Sequence, residues 1–269
     1  MICSLAHPSI DPPTLVERAR RALEWNGSDF LVGLQGYPEL MATLEVASDV
    51  EGLVRIGDPT SPPVRLLRAL NASAVGLHIG RVARLPAPWR WCRLGEGSAE
   101  IAGVALRQQT YADVVGALGR AGVSFRVLPD DTGTEELLAI GRGLGSAVLD
   151  VDEVPDDATD VPGYLDDQAE LTYGLVTRNP APTGSGVVWW SMSPEHEAAG
   201  TLMVALERFS ALGLDLDFLH SDPLGPGRHD FYLGFRTGTD RVGDLREALS
   251  EVGFASRVLA AFELDGAAG

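Results

Sequence analysis

The densest set of chemically capable side chains in this sequence is acidic: Asp150, Asp152, Glu153, Asp156, Asp157 and Asp160. Closely spaced carboxylate oxygens suit a hard cation, but the ordered spacing and central glycine of a calcium loop are missing. The segment reads as a solvated, mobile loop. Gly141-Arg142-Gly143-Leu144-Gly145 has the glycines of a phosphate loop. It follows a helical pattern and precedes a strand, so it reads as a helix C-cap and loop. The histidines are scattered without metal-ligand spacing, and His196 reads as a surface residue in the first turn of a helix. No Ser-His-Asp or Cys-His set is evident. Cys3 and Cys92 are too few for a metal site and need not pair, which fits a cytoplasmic protein with free thiols.

Composition narrows the chemistry further. The 21 basic residues are all arginine, so no lysine can form a Schiff base with a carbonyl substrate or with pyridoxal phosphate. A net charge of −17 argues against nucleic acid or an acidic membrane surface as partner. No stretch reaches the length of a membrane helix, and no cofactor is expected. The expected partner is a small molecule.

The elements that must position such chemistry are best marked between Gly186 and Leu264. Val187–Trp190 reads as a strand, and Pro194–Leu212 carries helical spacing at Leu202, Leu206 and Phe209. Leu214–His220 alternates as a half-buried strand. After the turn Pro226-Gly227, Phe231–Phe235 is its hairpin partner, Val242–Val252 a second helix and Ala255–Phe262 a closing strand. That order is a βαββαβ, ferredoxin-like unit. Upstream, strands at Phe30–Leu34, Gly52–Ile56 and Ser124–Val127 alternate with helices at Pro38–Glu45, Pro63–Ala69 and Gly133–Arg142, an α/β pattern. Pro180-Ala181-Pro182-Thr183-Gly184-Ser185 has linker composition, dividing the chain into domains 1–180 and 186–269.

Gly200-Thr201-Leu202 at a helix start, followed by Leu219-His220-Ser221-Asp222-Pro223 and Phe231-Tyr232-Leu233-Gly234-Phe235, resembles the ACT domain that ends prephenate dehydratases. That family carries Gly-Ala-Leu in the helix and Glu-Ser-Arg-Pro in the later turn. The resemblance extends upstream in order. Gly52-Leu53-Val54-Arg55-Ile56-Gly57-Asp58-Pro59-Thr60 lies where the family has a strand running into Pro-Ile-Glu-Asn-Ser, and Ile79-Gly80-Arg81-Val82 resembles the strand after the next helix. Leu106-Arg107-Gln108-Gln109-Thr110 replaces Ser-His-Pro-Gln before a helix. Asp130-Asp131-Thr132-Gly133 stands at the Ser-Thr-Ala turn, with Gly145-Ser146-Ala147-Val148-Leu149 as the next strand. The segment Asp166–Val176 resembles the one that holds Thr-Arg-Phe. The family's opening Gly-Pro-x-Gly-Thr-Phe is not recognisable in Ser4–Ile10.

The resemblance implies an α/β fold: a two-lobed, periplasmic-binding-protein-like domain followed by an ACT domain, forming a homodimer or homotetramer through a sheet edge. It also implies a reaction, loss of carbon dioxide and water from a cyclohexadienyl dicarboxylate. That reaction needs a proton donor at the departing hydroxyl and fixed donors for carboxylates. Thr172 stands at the family's Thr and is the implied proton donor. Tyr173 replaces the neighbouring Arg and Gly174 the Phe. Asp58-Pro59 replaces Asn-Ser, Thr60 supplies one donor, and Thr132 survives beside Asp131. Arg107 is the expected substitute for the lost guanidinium, with Arg55 and Arg178 as further candidates. In the ACT domain Gly200, Thr201 and Leu202, with His220, Ser221 and Asp222, are the positions for an aromatic amino acid; helix amides near Gly200 suit its carboxylate. The alternative expectation is a catalytically degenerate member that binds an aromatic metabolite or regulates a partner.

Overall fold

The computed structural model describes residues 4–9, 11–27, 30–95, 101–166, 168–178, 186–225, 227–237 and 241–263. The linker Pro180–Ser185, Pro226 of the hairpin turn, Cys3, Ile10 and Asp167 lie outside the described residues. The chain divides into two compact units, one built from residues 1–85 and 171–269, the other from 86–170. The crossings fall at Leu85/Pro86 and Glu170/Leu171.

The first unit opens with β1 (Ser4–Pro8), α1 (Pro13–Ala22), β2 (Leu31–Leu34), α2 (Tyr37–Val46), β3 (Val50–Arg55), α3 (Val64–Ala72) and β4 (His78–Leu85). Pro13 starts α1 where an N–H is dispensable, Leu15, Val16 and Ala19 form its buried stripe, and Arg20 and Arg21 complement the dipole at its end. The second unit contains β5 (Trp89–Arg93), β6 (Val104–Arg107), α4 (Gln108–Ala121), β7 (Phe125–Leu128), α5 (Thr134–Leu144), β8 (Ser146–Asp150), a 3-10 turn (Val151–Glu153) and β9 (Thr159–Asp160). The chain then returns to the first unit as β10 (Leu171–Thr177), β11 (Gly186–Pro194), α6 (Thr201–Ala211), β12 (Leu216–Gly225), β13 (Arg228–Thr237), α7 (Arg241–Glu251) and β14 (Phe254–Phe262).

The second unit holds a five-stranded sheet ordered β7-β6-β8-β5-β9, and the first a nine-stranded sheet ordered β12-β13-β11-β14-β4-β10-β3-β1-β2. The βαββαβ segment supplies four strands of the larger sheet and joins the others through a short parallel contact of β14 with β4 at Ala260 and Ile79. Period-two alternation splits its side chains between two layers. Val188, Trp190, Met192, Leu233 and Phe235 face α6 and α7, with Phe209, Leu245 and Leu249. Val187, Trp189, Tyr232 and Ala260 face the opposite core, with Leu66, Leu67 and Leu70 of α3. Across β3, β10 and β4 the packing is tight: a Cβ at Gly174 would lie 2.7 Å from Ile79 Cγ2 and 3.1 Å from Ile56 Cγ2. Glycine therefore stands where the resembled family carries phenylalanine. Among the described residues no helix is long and apolar enough to cross a membrane.

Four local expectations need correction. Helix α6 begins at Thr201 rather than Pro194, because β11 continues to Pro194 in register with Phe254 of β14, and Gly200 turns the chain at φ 89°. His196 consequently lies in the bend before the helix. His220-Ser221-Asp222-Pro223 is strand, not turn; Pro223 is tolerated because β12 is at the sheet edge. The acidic segment is anchored: Asp150 caps the 3-10 turn in a reciprocal capping box with Glu153, and Asp160 pairs with Arg90. The glycine run, by contrast, closes α5 as expected, with Gly145 in the left-handed region as its cap.

Candidate functional site

Strands β1, β2 and β3 run parallel, and ligands of open α/β sheets collect beyond the carboxyl ends of such strands. In the first unit, that end of β3 carries Ile56, whose N–H donates to Thr172 O at 2.9 Å. Thr172 pairs across β10 with Arg84 of β4 and is only 3% exposed. Immediately beyond Ile56 the chain turns: Asp58 Oδ1 accepts from both Thr60 N and Thr60 Oγ1 at 2.8 Å. Asp58 thus holds its own loop, and the Thr60 hydroxyl proton is committed to it. Trp189 Nε1 donates to Pro59 O at 2.9 Å, tying this turn to β11.

Tyr173 points to the other face of the sheet. It is wholly buried, and its O–H donates to Asp11 Oδ1 at 3.4 Å. Nearby, Tyr37 O–H donates to Arg55 O, also at 3.4 Å. Burial pushes the Tyr37 phenol up, the Asp11 carboxylate pushes it further, and Arg55 partly offsets this. Asp11 is the group that the motifs did not single out. Its place just before Pro12-Pro13 at a helix entrance was the available signal. Thr172 and Tyr173, adjacent in sequence, therefore serve different surroundings.

In the second unit Arg107 is fully engaged. Its Nε donates to Thr132 O at 2.9 Å, Nη1 and Nη2 donate to the Glu153 carboxylate at 2.7 and 2.8 Å, and Nη2 reaches Thr134 Oγ1 at 3.3 Å. Burial alone would raise the Glu153 pKa, but hydrogen bonds from Arg107 and Thr134 outweigh it and hold the carboxyl below its usual value. Arg107 and Thr132 are brought together, with the arginine's charge matched internally. Asp131 is exposed, while Asp130 accepts the Gln109 N–H in the first turn of α4. Arg178 donates to Ala47 O at the far end of β10.

The sheet separates the ACT-type positions. Gly200 caps α6, the Met203 and Val204 amides bond to its carbonyl, and Thr201 Oγ1 accepts from Ala198 N. Leu202 packs against the α6 core, and Ser221 lies on the same face, opposite Phe231. His220 and Asp222 face α3 instead. His220 stacks on Tyr232 with ring centroids 6.3 Å apart, and Asp222 accepts two N–H groups of Arg68 at 2.5 Å. Asn71 adds a bond to Asp230 at 2.8 Å, and Arg257 donates to the carbonyls of Asn71, Ser73 and Leu77. Helix α3 is thereby fastened to β12, β13 and β14.

Among the described residues no group of three or more His, Cys, Asp or Glu is placed to hold a metal ion. Cys92 is buried beside Asp160, and burial, then that carboxylate, push its thiol up to about 11. Peptide mass mapping after iodoacetamide treatment of the native protein at pH 8 should find Cys92 unmodified, and modified once the chain is unfolded in urea.

No protein-family model and no curated protein matches the chain. Solved structures do. Prephenate dehydratase from Staphylococcus aureus subsp. aureus Mu50 is 15% identical with a TM-score of 0.65, covering 97% of this chain and 100% of that one. The Arthrobacter aurescens prephenate dehydratase, solved with L-Phe, is 16% identical with a TM-score of 0.69, covering 97% and 90%. GqqA, described as a quorum quenching acylase, is 16% identical with a TM-score of 0.65, covering 97% and 98%. At such identity the likeness is one of architecture. The chain has the fold of the prephenate dehydratases, a periplasmic-binding-protein-like domain with a terminal ACT domain.

Proposed function

We propose that this protein is a prephenate dehydratase-like lyase acting on prephenate or a related cyclohexadienyl carboxylate. The observation that carries the reading is Thr172: a shielded hydroxyl on the central strand of three, beside the turn that leaves the carboxyl end of β3. In the reaction the ring carboxylate departs as carbon dioxide, its bonding electrons enter the ring, and the ring hydroxyl departs as water after taking a proton. Aromatisation supplies the driving force. The protein must deliver the proton and hold the rest of the substrate still. Since an acylase shares the fold, the fold alone does not select this reaction.

The domains in this reading are 1–180 and 186–269. The protein pairs through the exposed edge of β12, and an aromatic amino acid acts as regulator near Gly200, Thr201, Leu202 and Ser221. The L-Phe complex of the Arthrobacter protein supports that ligand class. A second reading, binding without catalysis, is favoured by Tyr173 being turned into the core against Asp11 and by Arg107 being matched by Glu153.

The test is phenylpyruvate formation from prephenate, followed by enolate absorbance against an enzyme-free control. The wild type should turn over, and Thr172→Val, if its circular dichroism is unchanged, should lose at least about a hundredfold in rate. No wild-type rate above the control would overturn the lyase reading and leave binding without catalysis.

A further inference from the structure

One peptide group at the carboxyl end of β3 is held from both sides. Its carbonyl, Arg55 O, accepts from the Tyr37 O–H at 3.4 Å, and its amide, Ile56 N–H, donates to Thr172 O at 2.9 Å. Tyr37 opens α2 just beyond the carboxyl end of β2, where Gly36 turns the chain at φ 86°. Its ring packs on the core that contains Ile56. Thr172 projects to that same face, because side chains alternate along β10 and a Cβ at Gly174, two residues on, would meet Ile56 and Ile79. The phenol and the threonine hydroxyl thus share one face of the sheet and one peptide plane.

They offer a ligand different things. The single proton of the Tyr37 phenol is directed at Arg55 O, which leaves the lone pairs of this half-buried oxygen to accept. Charge selects further. The Asp11 carboxylate acts on the phenol more strongly than Arg55 does, so the balance there is negative. Such a corner repels an anion and suits an uncharged donor. In prephenate the ring hydroxyl is the one hydrogen-bond donor, and it lies across the ring from both ionised carboxylates.

Building on the lyase reading, we infer that Tyr37 is the substrate-binding residue that accepts the hydrogen of the departing ring hydroxyl. Held in this way, the hydroxyl oxygen keeps its lone pairs for the Thr172 proton. The C–O bond breaks with its electron pair going to oxygen, which takes that proton and leaves as water. The pair from the C–C bond to the departing carboxylate completes the aromatic ring, and Thr172 recovers a proton from solvent. Tyr37 gives up no proton; it fixes the direction in which the hydroxyl faces its acid.

The experiment compares wild type with Tyr37→Phe, which keeps the packed ring and removes only the oxygen. Both are assayed for prephenate turnover and for calorimetric binding of phenylpyruvate, the product that has lost the hydroxyl. Tyr37→Phe should lower kcat/KM by about fivefold or more, the worth of one hydrogen bond, and leave phenylpyruvate affinity within about twofold. With an active wild type, a smaller fall in kcat/KM, or an equal loss of phenylpyruvate binding, overturns the assignment and leaves the lyase reading standing. An inactive wild type overturns the lyase reading, and intact prephenate then becomes the second calorimetric probe. Weakened binding of prephenate but not of phenylpyruvate in Tyr37→Phe supports a hydroxyl contact at Tyr37. No prephenate binding by wild type, or the same change for both ligands, ends the assignment.

Discussion

Trp189→Ala should lower the stability of the first unit by about 3–5 kcal/mol, the cost of emptying a large aromatic site in a packed core. Trp189 is completely buried between the terminal strands and α3, with Phe262 edge-on at 5.6 Å. Close packing lets the surroundings collapse only partly, so the loss exceeds the transfer energy of the indole. Trp189→Phe separates the packing from the polar role. It keeps most of the apolar volume and forfeits the bond to Pro59 O, which is worth about 1 kcal/mol. Because Pro59 lies inside the Asp58–Thr60 turn, Trp189→Phe should loosen ligand binding more than it loosens the fold. Urea unfolding followed by circular dichroism gives the first quantity, and calorimetric titration gives the second.

Arg107→Met should destabilise the second unit by about 3–5 kcal/mol, because it leaves the Glu153 carboxylate half-buried without its cation. The effect has a pH signature. Glu153 titrates below its usual 4.5 when folded, so its pairing stabilises the fold fully above that value and progressively less as pH falls through the lower, folded value. The difference between wild type and Arg107→Met should be constant near neutrality and narrow below about pH 4.5. A gap that stayed unchanged to pH 3 would assign the loss to the arginine stem rather than to the ion pair.

The parts legible in the sequence were those set by local alternation. The alternation from Leu214 to His220 marked a half-buried strand, which forms as β12 from Leu216, and Leu202, Leu206 and Phe209 marked the face α6 buries. What eluded the pattern was long-range. The spacing at Leu202 could not say that seven residues from Pro194 still belonged to strand and bend, because that depends on pairing with Phe254. The acidic run looked mobile because Arg107, 46 residues before Glu153, is silent in any short window. Asp11 and Tyr173 meet across 162 residues. The family-like motifs located the right strands without revealing that consecutive residues such as Thr172 and Tyr173, or Ser221 and Asp222, answer to opposite faces.

The sheet order also dictates a schedule for synthesis. Strand β10 sits between β3 and β4, yet the ribosome makes it only after the entire span from 86 to 170. The second unit can close as soon as it emerges. The first 85 residues must instead wait with β3 and β4 unjoined, and at ~5–20 residues per second β10, the strand that fits between them, arrives roughly 5–20 s later. During that interval the edges of β3 and β4 that β10 will cover are open, the kind of edge to which another chain can add a strand.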